Sequence, residues 1–133
     1  MAVSITQYGG LLTVLSTDKN IYRPGEPVRI SMFKMNIAPR PIALLYPTTQ
    51  RYDFSVAAFT GEVWRWSHDK VFAQFTQTVT LLPGQTLSYA ETWPQLDVAG
   101  DRVMPGIYRV TGWNTFAGYE RFFWPATYIR IGI

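Results

Sequence analysis

The sequence contains no cysteine. That excludes disulfides and thiolate metal sites but leaves the compartment open, because a reducing cytosol and a cysteine-free exported chain both allow it. Charge is scarce too: 16% of residues are charged, against about 25% in an ordinary globular domain. His68 is the one histidine. A zinc site needs more ligands than one His and scattered carboxylates supply. The nine acidic residues never stand at a spacing that suggests paired acid–base work. There is no Gly-rich phosphate loop and no GxSxG elbow. Ser67, His68 and Asp69 are sequence neighbours, whereas triad side chains converge from separated positions. These gaps point away from an enzyme, and no metal or cofactor is expected.

Long runs of one kind are missing as well. Nine Arg and three Lys give a formal charge of +3, spread from Lys19 to Arg130 without a cluster. Nucleic-acid binders usually gather their charge on one element, so no nucleic-acid partner is expected. No stretch approaches the ~18 apolar residues of a membrane helix, so no membrane insertion is expected. The first ten residues lack a basic region, a continuous apolar region and a small-residue cleavage site. They do not form a signal peptide, and a cytoplasmic location is expected. A cell or spore surface would suit the chain only as a fibre subunit.

What is present is apolar and aromatic: 47% hydrophobic and 16% aromatic residues in a chain of 133. That length suits one domain, which can bury roughly two-thirds of the surface its unfolded form exposes. Period-2 alternation recurs between Gly and Pro turns. Residues 11–16, 28–37, 42–46, 52–57, 63–66, 75–82, 86–93, 107–113 and 122–131 read as strands, the last broken by Pro125. Pro24-Gly25 fits the centre of a type II turn, with Pro presetting φ and Gly accepting a positive φ. Pro83-Gly84 closes another strand, and Thr60-Gly61 marks a hairpin. No segment carries a helix-length stripe of period 3.6. Many short strands with regular turns predict an all-β fold, an immunoglobulin-like antiparallel β-sandwich.

Asn36 to Trp113 carries an ordered set of motifs: Gln50-Arg51-Tyr52-Asp53-Phe54, Gly61-Glu62-Val63-Trp64-Arg65-Trp66-Ser67, Lys70-Val71-Phe72, Leu82-Pro83-Gly84, Tyr89-Ala90-Glu91-Thr92-Trp93 and Pro105-Gly106-Ile107-Tyr108. In order and spacing this set resembles the BsuPI family, the intracellular proteinase inhibitor domain described from Bacillus. The resemblance implies an immunoglobulin-like sandwich and inhibition of an intracellular serine proteinase. It carries over no reactive-loop residue. The chain departs from the family at both ends, in residues 1–10 and after Gly118.

Several residues are candidates for partner contact. Trp64 and Trp66 share one strand face and read as core packing or as an interface patch, since Trp, Tyr and Arg are common interface anchors. Asp53 is expected to be buried and satisfied by Ser67 or by backbone N–H groups. The polar loop 94–106, with Asp97, Asp101 and Arg102, is one candidate binding loop, and the loop after Trp66 is another. In residues 1–10, Val3 and Ile5 alternate with Ser4 and Thr6, ending at Tyr8 and Gly9-Gly10. This arm reads either as the first strand of the sandwich, with Gly9-Gly10 its turn, or as a donor strand on a Gly-Gly hinge, lent to a neighbouring subunit. Ile129 and Ile131 on the last strand are candidate assembly contacts.

Two functions remain open. One is a BsuPI-type protein-interaction domain, residues 11–133 preceded by the arm, acting on a serine proteinase. The other is a self-assembling filament or fibre subunit in which copies join by N-terminal strand addition. Such a head-to-tail contact makes rings or open filaments.

Overall fold

In the computed structural model, which describes residues 1–132, the strands follow the alternation. They are β1 (Val3–Tyr8), β2 (Leu11–Thr17), β3 (Ile21–Tyr22), β4 (Val28–Asn36), β5 (Ile42–Tyr46), β6 (Tyr52–Ala58), β7 (Gly61–Arg65), β8 (Gln77–Leu81), β9 (Thr86–Trp93), β10 (Gly106–Asn114) and β11 (Ala126–Ile131). Two 3₁₀ turns, Trp66–Asp69 and Arg121–Phe123, interrupt them. The first sheet has the order β1-β2-β4-β9, the second β3-β11-β10-β6-β7, and β5-β8 forms a separate ribbon. The fold is the expected all-β, immunoglobulin-like sandwich.

The core follows from parity. On β2 and β4 every second residue is buried, and on the second sheet the inward residues are Phe54, Val56, Tyr108, Val110, Ile129 and Ile131. Trp64 and Trp93 join them in one cluster. Gly112 lies where the sheets press together: a Cβ there would stand 2.9 Å from Leu15 Cδ1 and 3.0 Å from Met32 Sδ. Tyr108 donates its hydroxyl back to the Met104 carbonyl, the tyrosine corner of such sandwiches. A second cluster, with Leu44, Tyr46, Leu81, Trp113 and Phe116, fills the end beneath the ribbon.

One buried polar knot joins all three sheets. Lys34 on β4 is 2% exposed. Its ammonium donates to Asn114 Oδ1 on β10 (2.7 Å) and to the Tyr46 hydroxyl on β5. The rings of Tyr46, Tyr89 and Phe116 lie 5.1–5.8 Å from it, and no carboxylate lies within ion-pair distance among the described residues. Burial, with the Arg51 charge adding to it, pushes the Lys34 ammonium down to about 7. The ring faces and oxygens act the other way, because they favour the charged form.

The N-terminal segment is placed in its own chain. β1 pairs antiparallel with β2 in unbroken register from Val3↔Ser16 to Tyr8↔Leu11. Gly9 and Gly10 are the two-residue turn of that hairpin. Gly9 takes φ +57°, and a Cβ on Gly10 would meet Ala38 Cβ at 2.7 Å. In the single chain the arm is thus the first strand of the sandwich, with Gly9-Gly10 its turn, which is one of the two readings of the sequence: Ala2 is buried, Thr17 N donates to its carbonyl, and Tyr8 packs on Tyr119 and Phe123.

Candidate functional site

The site grows from the β6–β7 hairpin. Asp53 is buried on β6, and its carboxylate accepts from Ser67 Oγ, Ser67 N (3.2 Å), Phe54 N (2.9 Å) and Gln50 Nε2 (3.2 Å). This is the expected tie between β6 and the residues after β7. Burial holds its pKa above the ordinary carboxylate value, while these hydrogen bonds pull the other way. Above it, Tyr52 is sandwiched between Trp66 (4.7 Å) and Tyr89 (4.5 Å) and donates its hydroxyl to Glu91. Burial, the Glu91 hydrogen bond and its charge raise the Tyr52 pKa well past the ordinary phenol range. The corner at Trp66 is thereby held by stacking on one side and hydrogen bonds on the other.

From that corner the chain runs out as the segment 70–76, which pairs in no sheet. Val71 is 99% exposed and Phe75 60%. The segment is held at a few points only. Lys70 N donates to Ser67 O, Thr49 N to Ala73 O, Ala73 N to Thr49 Oγ1, and the Phe72 ring lies 6.1 Å from Trp66. The expected strand 75–82 begins at Gln77 instead, because its ladder partner β5 ends at Tyr46.

The loop 94–106 lies beside the root of segment 70–76, at Trp66–Lys70. Gln95, with φ +61° and 1% exposed, donates to Arg23 O (2.9 Å) and Glu26 O (2.8 Å) and accepts from Gly25 N (2.9 Å). Asp97 Oδ1 accepts from Ala99 N and Asp101 N, and Val98 N donates to Val63 O. Between the two loops is a hollow of about 430 Å³ lined by Trp64, Trp66, His68, Glu91, Asp97 and Val98 among others.

Of the residues singled out in sequence, the structure brings Trp64, Trp66 and Asp97 to this hollow. Asp101 and Arg102 are exposed at the far side of the loop, with the Arg102 guanidinium against Gly25. Val3 and Ile5 lie on the outer face of the first sheet, away from it. Tyr8, Gly9 and Gly10 sit at the β1–β2 turn. Ile129 and Ile131, each 1% exposed, are core residues rather than contacts, because on β11 the outward positions are Tyr128 and Arg130. Trp64 is 7% exposed and offers a partner little beyond its edge. Sequence reasoning named the loop after Trp66, quoted Val71 and Phe72 only as part of a family motif and gave Phe75 to a strand, and it singled out none of the three as a contact. The available signal was the apolar stretch Val71-Phe72-Ala73 with no alternation and no turn residue.

Ser67 spends its hydroxyl on Asp53 rather than on His68. Among the described residues, no three His, Cys, Asp or Glu stand together as metal ligands, and no helix is long and apolar enough to cross a membrane.

Similar folds occur inside much larger proteins. The chain is similar to part of a cycloisomaltooligosaccharide glucanotransferase from Paenibacillus sp. (20% identity, TM-score 0.54, 99% of this chain and 14% of that one). It is similar to part of a β-glucosidase from Erythrobacter marinus (13%, 0.52, 89% and 15%). It is also similar to part of an alkylpurine DNA glycosylase from Pseudomonas fluorescens (15%, 0.51, 98% and 30%). At such identities they show the fold alone. No curated protein matches the chain. The pattern of the intracellular proteinase inhibitor BsuPI does match, over residues 15–119, from within β2 through the whole hollow to five residues past β10; the chain belongs to the BsuPI family.

Proposed function

We propose that this chain is a non-enzymatic protein-binding domain that inhibits a serine proteinase inside the cell, and that the segment 70–76 is what enters the proteinase. The observation that carries this reading is a run that pairs in no sheet, with an almost fully exposed Val71, fixed at its start by the Asp53–Ser67 tie. Proteinases bind their substrates as extended chain, and an added extended strand gains affinity from main-chain hydrogen bonds. A loop tethered before binding, as this one is to Thr49 and Ser67, loses less entropy on docking. Asp97 and Val98, across the hollow from Lys70 at the segment's root, would widen the contact. The test is titration of a subtilisin-like serine proteinase with the purified protein and with Val71→Asp. The expected result is inhibition by the first and its loss in the second at unchanged thermal stability. Full proteinase activity at large excess of the wild-type protein would overturn the reading, and so would equal inhibition by both.

A second reading, association between copies of this chain, is favoured by the outer face of the first sheet. Ile5, Val14 and Phe33 stand in one cross-strand row, and Gln7, Leu12 and Met35 in the next. Arg29 is the only charged residue that β1, β2, β4 and β9 turn outward there. Val3 and Ile5 belong to this face, and β1 leaves its second edge open for strand addition. Light scattering that gives a monomer at about 0.1 mM, well above the micromolar affinity of a weak complex, would exclude it. Only on this reading would a cell or spore surface be the place to look.

A further inference from the structure

The outer face of the second sheet carries a groove that shares no residue with the hollow between the loops. Its floor is made of small side chains brought level by register: Ala57 and Ser55 on β6, Thr111 on β10 and Ala126 on β11. Its volume is about 690 Å³. One end is a stack. The indoles of Trp113 and Trp124 lie parallel within 2° at 4.3 Å. The Arg65 guanidinium covers Trp113 at 5.0 Å, and that of Arg121 lies 5.8 Å from Trp124. The other end is rimmed by Ile107, Tyr128 and Phe59, the last fully exposed.

The charge in this groove is one-sided. Among the described residues Glu62 is its only carboxylate, and that is taken by Arg65 at 2.9 Å. Arg109 and Arg121 line the same space, and neither has an ion-pair partner among the described residues. A guanidinium presents a planar fork of donors that matches a carboxylate. Apolar rims and a small-residue floor suit an aliphatic or aromatic side chain laid flat. Nucleic acid fits less well. Bases bind single-stranded sites by stacking on open aromatic faces, and here the indoles already face each other and carry guanidinium groups.

We propose that this face binds an extended acidic segment of a protein partner, its carboxylates held by Arg109 and Arg121 and an apolar side chain seated over Ala57 and Ala126. The site is independent of the inhibitory loop and stands whether or not that loop inhibits.

The test is fluorescence anisotropy of the full chain with a labelled peptide alternating Glu and Leu, its Gln-for-Glu counterpart, and an oligothymidylate of equal length. The acidic peptide is expected to bind, and the Gln peptide to bind at least about tenfold more weakly, as charge-assisted hydrogen bonds require. Arg109→Glu with Arg121→Glu, both at exposed positions, should abolish the acidic peptide's binding. Ala57→Leu, which fills the floor without touching the charges, should weaken it, with thermal melts checking that each variant is folded. Equal binding of the Glu and Gln peptides overturns the proposal. So does full binding by the double-Glu variant, or an oligothymidylate that binds as tightly and competes.

Discussion

Lys34 offers a measurement whose sign is set by its surroundings. An exposed lysine titrates near 10.5, whereas the buried one titrates at about 7. Between those values the unfolded chain holds a proton that the folded chain has released. Stability therefore rises with pH across that window, and the penalty is fully present below about pH 7. Each unit of displacement corresponds to about 1.4 kcal/mol. Integrated from about pH 7 to about pH 9, the difference in bound protons amounts to about 2 kcal/mol of added stability from this one group.

Lys34→Met removes the titration while keeping an unbranched side chain of similar length. Asn114 Oδ1 keeps a donor, because the Tyr46 hydroxyl also points at it. Denaturant unfolding of both proteins at about pH 7, 8 and 9 reads the result, as a gain of about 2 kcal/mol in the wild type that Lys34→Met lacks. Staying at or below about pH 9 keeps the buried tyrosines out of the comparison, since their values are raised. Parallel curves for the two proteins would refute the reasoning. They would mean that the ring faces and the two oxygens keep Lys34 charged, with no displacement from the unfolded chain.

Three further perturbations follow from packing. Gly112→Ala puts a methyl against Leu15, Met32 and Phe54 and should cost about 1–3 kcal/mol, read as a lower denaturation midpoint. Ser67→Ala removes the hydroxyl that Asp53 accepts and should cost about 1–3 kcal/mol, with faster hydrogen exchange across 66–76. Deleting residues 1–10 strips the whole β1 ladder and the Tyr8 ring from the protein's own core. It should cost at least about 2 kcal/mol, given that one buried ring is worth about 1.5–3. A truncated chain as stable as the full one would mean that β1 belongs elsewhere.

Much of this fold was legible because alternation and turn chemistry are local. Pro24-Gly25 and Pro83-Gly84 each close a turn with the glycine at φ near +80°, and β9 runs over Thr86–Trp93 as its pattern predicts. The Asp53–Ser67 tie was legible too, since a lone acid in an aromatic strand needs donors. Pairing at a distance was not. β3 is only Ile21–Tyr22, and it exists because it lies parallel to β11. Phe75 and Thr76 look like strand but face no partner. The parity of β11 hid as well: Pro125 and the turn at Arg121–Phe123 reset the count, so Ile129 and Ile131 fall inward. The groove was least legible of all. Arg65 and Trp113 stand on separate strands and Trp124 in the turn before β11, and only the sheet order with that turn puts them side by side.

The two surfaces differ in how they relate to the family. The segment 70–76 and the loop 94–106 lie within the matched span, residues 15–119. Arg121, Trp124, Ala126 and Tyr128, which close the groove, lie beyond it. A surface whose wall is supplied by the part of the chain outside the match need not share the role of the part inside. Trp124→Ala separates them. It removes an indole stacked on Trp113, and as a truncation of a half-buried ring it should cost about 2–3 kcal/mol. The Asp53–Ser67 tie and segment 70–76 remain untouched. Proteinase inhibition should then survive at temperatures where the variant is folded, while acidic-peptide binding falls. If inhibition and peptide binding fall together in a folded Trp124→Ala protein, the groove and the loop serve one partner, and the separation argued from the matched span is wrong.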